Sequence, residues 1–467
     1  MSTTRLLRRK PVDTLIAEAG GTGADHLRRS IGLWQLAAIG IGATVGTGIF
    51  FVLTTSVPEA GPAVVLSFVI AAVTAGLTAL CYAELASAIP VSGSSYSYAY
   101  ATMGEGVAFG VGVCLLMEYG VSASAIAVTW GQYLDRFTDL AFGVRLPAAL
   151  TAPPGDGGTV NLPAVVLVLL VTVLLIRGIG ESVKVNAVMV AIKLTILVLF
   201  VAVGLTGFSA GNFTPFAPNG WEGVQTAAST IFFSFIGLDA VSTAGEEVRD
   251  PRRTLPLAIL ISLTVVTLLY VAVAVTAVGA QPWQRFDGQE AGLARILQDV
   301  TGQSWPALVF AAGAIVSIFS ITLVVIYGQT RILYAMGRDG LLPSLFTEVS
   351  PRTGTPVRNT VVVGTAVALL SAVFPLRLLA DLTSMGTLLA FTAVSIGIVV
   401  LRRTRPDLPR GFKVPLYPVT PLLSTAFCVY LITKLHRDTF LAFAVALALA
   451  AVLYFGYSAG HSKLERG

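Results

Sequence analysis

The sequence predicts an all-α integral membrane protein of about twelve transmembrane helices, with both termini on the cytoplasmic side. Three observations predict it: the composition, the apolar runs, and the placement of Lys and Arg. Of 467 residues, 55% are hydrophobic and only 12% charged, against about 25% charged in a soluble domain. Mean hydropathy is +0.81. So few charges cannot cover the surface of a water-soluble protein this long.

A spanning helix needs about 20 mainly apolar residues at 1.5 Å rise each. Taken in order, such runs lie near 33–57, 62–88, 104–134, 161–177, 183–207, 221–245, 254–279, 304–337, 358–375, 380–401, 417–434 and 438–458. The third and eighth are long enough to tilt or to extend into water. The first thirty residues are polar and carry Arg5, Arg8, Arg9, Lys10, Arg28 and Arg29. A polar stretch separates this basic cluster from the first apolar run, so no cleavable signal peptide is expected.

With the N-terminus inside, the cytoplasmic tails and loops collect 22 of the 30 Lys and Arg, the outer loops seven, and the membrane one, Lys193. That asymmetry fits the positive-inside rule and an even number of spans. The net charge of +5 is small and dispersed, which argues against nucleic acid as a partner. Cys81, Cys114 and Cys428 all sit in apolar runs, without a metal-ligand spacing. His26, His436 and His461 lie away from the centres of the spans. Neither a metal site nor a His-based catalytic centre is therefore expected, and the chain does not read as an enzyme.

Two spans carry their own interruption. In the first, Gly40, Gly42, Gly46 and Gly48 place four glycines within nine residues, each costing a helix about 1 kcal/mol relative to Ala. The sixth reads Phe232-Phe233-Ser234-Phe235-Ile236-Gly237-Leu238-Asp239. Unwound backbone survives in a bilayer only where it lines a cavity or is buried in protein. Breaks at corresponding places of two halves point to a transport site. The offset of five spans suggests two five-helix inverted repeats, 33–207 and 208–401. A pair of additional helices, 402–458, follows, and tails 1–32 and 459–467 flank the whole. Freed N–H groups at a half-helix start can hold a carboxylate, and freed carbonyls can hold an ammonium. Glu118, Lys193 and Asp239 fall near midspan; each costs about 2.5–3.5 kcal/mol on insertion scales and needs a partner or a wet cavity.

At these residues the chain resembles the amino acid–polyamine–organocation (APC) superfamily, and within it bacterial members of the cationic amino acid transporter family. The stretches that carry the resemblance are Gly42 to Phe50, Cys81 to Ala86, Pro90 to Tyr96, Phe233 to Asp239, Glu246 to Pro256, Tyr327 to Arg331, Arg338 to Pro343, and Arg402 to Pro415. The resemblance implies a LeuT-like 5+5 inverted repeat with the last two helices outside it. It places a substrate carboxylate on the unwound segment at Thr44, Val45, Gly46, Thr47 and Gly48. It places the amino group on sixth-helix carbonyls around Phe233, Ser234 and Ile236, with Phe233 as a lid. Glu118 would face the cavity. Thr44 departs from the family pattern, where an apolar residue such as Ile is common, which makes the site floor more polar. Lys193 would reach the first-helix carbonyls near Gly46, standing where relatives place Na⁺, and its proton release would loosen that bridge. Asp239 would be a second protonation site. The proton would then be the coupling ion, with no other cofactor.

The expected activity is amino acid import, of cationic or small neutral substrates, across a bacterial cytoplasmic membrane. An exchanger of the same fold remains open, because exchange and symport differ in what they need on the inner side. A membrane sensor usually carries a large cytoplasmic extension, which this chain lacks. A P-loop for ATP is also missing. Neither oligomeric state nor a partner subunit is legible.

Overall fold

The computed structural model describes residues 8–15, 31–46, 48–89, 91, 94–154, 157–178, 183–237, 239–243, 248–350 and 353–463. Among them the secondary structure is helical, apart from one isolated bridge between Ile31 and Val248. In order, the first helices are α1 (Leu33–Thr44), α2 (Val52–Ala60), α3 (Val64–Ala88), α4 (Ser94–Thr102), α5 (Glu105–Phe142), α6 (Leu162–Ile176) and α7 (Val183–Gly204). They are followed by α8 (Gly220–Ile231), α9 (Ala240–Thr243), α10 (Pro251–Ala280), α11 (Gly292–Thr301) and α12 (Ser304–Arg338). The last are α13 (Val357–Val373), α14 (Leu376–Thr404), α15 (Val419–Ile432) and α16 (Arg437–Leu453).

Among the described residues seven helical stretches are long and apolar enough to cross a membrane: Val52–Ala88, Glu105–Phe142, Ala187–Gly207, Pro251–Ala280, Ser304–Arg338, Leu376–Thr404 and Arg437–His461. Four shorter apolar helices, α1, α6, α13 and α15, accompany them. The outward surface fits lipid rather than water. On α16, Leu441, Leu449 and Val452 are each about two-thirds or more exposed, and α6 presents Leu162, Val166, Leu169 and Leu170 in the same way. Water does not tolerate apolar faces of that extent on a monomer.

Local chemistry sets the element ends. Helix α10 opens with Asp250 at the N-cap and Pro251 at the first position, where a missing N–H costs nothing. Helix α5 closes on Gly143 in the left-handed region, φ 67°. At 35 residues, α12 is about 52 Å long, well beyond a hydrocarbon core of about 30 Å. It therefore tilts or runs into water, as its sequence length predicts.

Several features depart from the expected map. The segment after the third apolar run, expected to be a loop from Asp135, is helical as far as Phe142, because α5 continues past its apolar core. The loop at 280–303 holds α11. Helix α4 fills the connection before α5; its Ser- and Tyr-rich sequence has no apolar stripe to announce it. The sixth span ends its regular helix at Ile231, passes through a tight turn of 3₁₀ helix at Phe232–Phe235, and resumes as α9. In the core, α10 packs along α3 and α1, and α12 along α5. These five helices form the surroundings of the two interruptions.

Candidate functional site

The first break lies between α1 and α2. Helix α1 stops at Thr44, whose hydroxyl donates back to the Gly40 carbonyl at 2.9 Å, and Val45 donates its amide to Ile41 at 2.8 Å. Gly46 then takes φ +111°, a conformation open to glycine and costly to most other residues. The chain re-enters helix when Phe51 and Val52 both donate to the Gly48 carbonyl, at 3.0 and 2.9 Å. Between these points the amides of Gly48, Ile49 and Phe50 donate to no described residue. All three residues are buried. Three unspent donors at the start of a half-helix, out of reach of water, make an anion seat.

Three donors from other helices tie down the carbonyls of this break. The ammonium of Lys193, on α7 and 1% exposed, donates to Gly42 at 3.0 Å. The Tyr270 hydroxyl of α10 donates to Thr44 at 2.9 Å and also faces the Gly46 amide. The Tyr133 hydroxyl of α5 donates to Phe50 at 2.9 Å. Lys193 donates to Gly42, one turn before Gly46, and its Nζ lies 3.8 Å from where a Cβ on Gly46 would stand.

The second break lies between α8 and α9 and presses directly on the first. A Cβ on Gly48 would fall 2.3 Å from Ser234 Oγ and 2.8 Å from Ser234 Cα. A Cβ on Gly237, at φ +92°, would fall 2.6 Å from the Ala43 carbonyl oxygen. Aromatic rings set the remaining spacing. Phe233 meets Phe51 edge-on at 5.2 Å, Phe232 meets Phe391 at 5.7 Å, and Phe235 meets Tyr270 at 5.7 Å. Phe233, Ser234 and Ile236 are buried. The Ile236 amide donates to Phe233 at 3.3 Å.

Thr44, Val45, Gly46, Gly48, Lys193, Phe233, Ser234 and Ile236 therefore come together around the two breaks. Thr47 lies outside the described residues. Glu118 and Asp239 form a separate cluster beside them. Glu118 sits in a π-helical turn, Met117–Val121, within α5, the kind of distortion that recurs at functional sites. It is 1% exposed and faces Asp239 and Thr387, with no described hydrogen bond of ordinary geometry to either carboxyl oxygen. Asp239 accepts from the hydroxyls of Ser94 at 2.9 Å and Tyr119 at 3.1 Å. Beside Asp239 is a pocket of about 10 Å³, lined by Tyr82, Ile259 and Phe391 among others, room for about one water.

Sequence reasoning missed three further groups. Tyr133 and Tyr270 are lone tyrosines in apolar runs, with nothing in their spacing to announce them. Asp381, at the start of α14 and 1% exposed, accepts from Thr230 of α8 at 2.9 Å, and its Oδ2 lies 2.6 Å from His436 Nδ1. His436 also meets Arg377, whose guanidinium is 3.2 Å from Glu59 of α2. This network links both half-helices α2 and α8 to α14. Glu84 of α3, fully buried, is clasped by Arg402 through Nε at 2.8 Å, by the Val414 amide at 2.6 Å, and by Arg410 at 3.2 Å. An acid in one span and a basic cluster after the tenth are the signal that could have paired them.

A helical membrane protein in which two broken helices press against each other, with a buried lysine bonded to one of them, has the organisation of a solute carrier. The chain belongs to the amino acid permease family, whose model matches residues 31–452, within the APC superfamily its motifs resemble. It is 44% identical to the branched-chain amino acid permease BcaP of Bacillus subtilis, over 99% of both chains. It is 40% identical to a methylthioribose transporter of the same organism, again over 99% of both. A vacuolar cationic amino acid transporter 4 of Arabidopsis thaliana is 37% identical over 86% of this chain and 68% of its own length. The protein is accordingly a multi-pass protein of the cell membrane and a transporter rather than an enzyme.

Proposed function

We propose that this protein imports amino acids by proton-coupled alternating access. In this reading twelve helices span the membrane with both termini inside. Segments 33–207 and 208–401 form a LeuT-like 5+5 inverted repeat, and 402–458 adds two helices. The observation that carries it is the set of amides at Gly48, Ile49 and Phe50 with no partner among the described residues, on the same break whose first helix holds the buried ammonium of Lys193. A substrate carboxylate seats on those amides. Its ammonium turns to the carbonyls of the second break, and Phe233 closes over it. The walls around the seat, Val45, Phe51, Phe233 and Ile236, are apolar and buried, which suits a neutral aliphatic side chain. Glu118 faces the acid Asp239 rather than an open cavity, which leaves it less available to a cationic substrate. The name of the branched-chain relative points the same way.

Coupling rests on Lys193 and Asp239. The charged ammonium holds the Gly42 carbonyl through a charge-assisted bond; a neutral amine still donates but more weakly, so losing its proton weakens the tie between α7 and the first break. Glu118 and Asp239, side by side, give a second place to hold and pass a proton. The coupling ion is the proton, with no other cofactor. One further reading has specific support. The methylthioribose relative covers the whole chain, and its named substrate has neither carboxylate nor ammonium, so such a ligand would use the hydroxyls and rings of the breaks instead.

Proteoliposomes with an inward proton gradient test these readings. Labelled leucine, alanine, arginine and methylthioribose are offered to empty or preloaded vesicles. Gradient-driven accumulation of leucine or alanine in empty vesicles is expected. Uptake only into preloaded vesicles would make the protein an exchanger, and uptake of methylthioribose alone would displace the amino acid reading.

A further inference from the structure

A second, larger cavity lies far from the breaks, where α5 ends and α11 passes into α12. It is an open cleft of about 800 Å³ lined by Arg136, Asp139, Leu140, Arg145, Arg295, Gln298, Asp299, Gly302 and Ser304. By the Lys and Arg distribution this is the outer face. The volume is that of a ligand site, but the lining is polar and rich in guanidinium, which excludes an apolar ligand.

The charges in the cleft are not balanced among themselves. Asp139 serves two arginines: Arg136 Nη1 at 3.0 Å and Arg145 Nε at 3.2 Å. Arg136 also donates to Gln298. Its Nε is buried and has no partner among the described residues, although the residue as a whole is only 9% exposed. Arg295 lines the same cleft as Arg136, and no ion pair joins Arg295 to a described carboxylate. Asp299 is exposed, and Asp135 nearby is taken by the Leu146 amide at 2.7 Å. Two guanidinium groups lining one cleft, one of them with a buried donor that has no described partner, suit a shared oxyanion, which arginine binds through paired donors. Helix α12 also begins at Ser304 without a side-chain cap, so its positive end adds to the same field.

We propose that this cleft binds an oxyanion, a phosphate or carboxylate, between Arg136 and Arg295. Two sources supply that chemistry: a free anion at the outer surface, or a phospholipid headgroup. Phe142, two residues after the lining residue Leu140, and Trp305, next to the lining residue Ser304, are 72% and 58% exposed, in keeping with aromatic residues that sit at headgroup level.

The test is the thermal unfolding midpoint of the purified full chain in detergent. Sodium phosphate is titrated against sodium chloride at constant ionic strength. A saturable rise with phosphate is expected. Arg295→Gln should raise the half-saturating concentration tenfold or more, while Arg358→Gln, in an exposed pair elsewhere, should leave it unchanged. Short-chain phosphatidylglycerol producing the same rise at lower concentration, and losing it in R295Q, assigns the site to lipid. A response to phosphate and acetate without one to the lipid assigns it to free anions. A rise that follows ionic strength alone, or one identical in R295Q, overturns the proposal.

Discussion

The two helix breaks lie against each other but are held by opposite means. The first is fixed by directed polar bonds: Lys193, Tyr133 and Tyr270 each donate to one of its carbonyls. The second is fixed by volume: three phenylalanine rings wedge against Phe51, Phe391 and Tyr270. A directed bond is made or lost as a unit and answers to protonation. Ring packing yields gradually and answers to what fills the space beside it. The first break is thus suited to couple an ion, and the second to sense a side chain.

The sharpest way to break the comparison is at their contact. Gly48→Ala would drive a Cβ into the Ser234 backbone, where no flexible atom can give way. Uptake should fall to background, while Gly110→Ala, at an open position, leaves it intact. Next comes Lys193→Ala. It removes a charged bond contributing about 1.5–3 kcal/mol, and pH-driven accumulation should fall at least tenfold with the protein still inserted. Unchanged accumulation would assign Lys193 a purely structural role.

Tyr270→Phe and Tyr133→Phe each delete one neutral bond of about 1 kcal/mol. Each should raise the KM for substrate about fivefold, with the pH dependence of uptake retained. The smallest effect is expected at Phe233→Leu, which keeps an apolar side chain of lesser reach. Overall uptake should change less than threefold, with preference moving toward bulkier substrates in competition assays. If F233L instead altered the pH profile and K193A altered selectivity, the division between the breaks would be reversed.

Much of the architecture was open to reading from the chain, because lipid demands long apolar runs and leaves few alternatives. The ends of α3, α10 and α12 fall within a few residues of the apolar windows. Both breaks announced themselves through glycine beside small residues, and the residues near them gather in space. What could not be read is what depends on pairing across the fold. Tyr133 and Tyr270 have the same local pattern as any buried tyrosine. The π turn around Glu118 leaves no compositional mark. Asp381 looks like an ordinary acid at a helix start until Thr230 and His436 are seen beside it. Lys193 was legible as a buried charge, but its bond to Gly42 depends on the register of α7 against α1, which no single helix encodes.

The clasp on Glu84 has a consequence for how the protein is made. Its main partner, Arg402, follows it by 318 residues. At a synthesis rate of about 5–20 residues per second, that gap is about 16–64 s. Throughout it, α3 has been threaded toward the bilayer with a carboxylate and no counter-ion. An unpaired carboxylate is costly within a bilayer, so the acid is not settled there until Arg402 has been made. Closing the clasp then marks the moment at which the nascent chain has delivered nearly all its helices, so premature termination before Arg402 leaves an exposed acid by which an unfinished carrier can be told from a complete one.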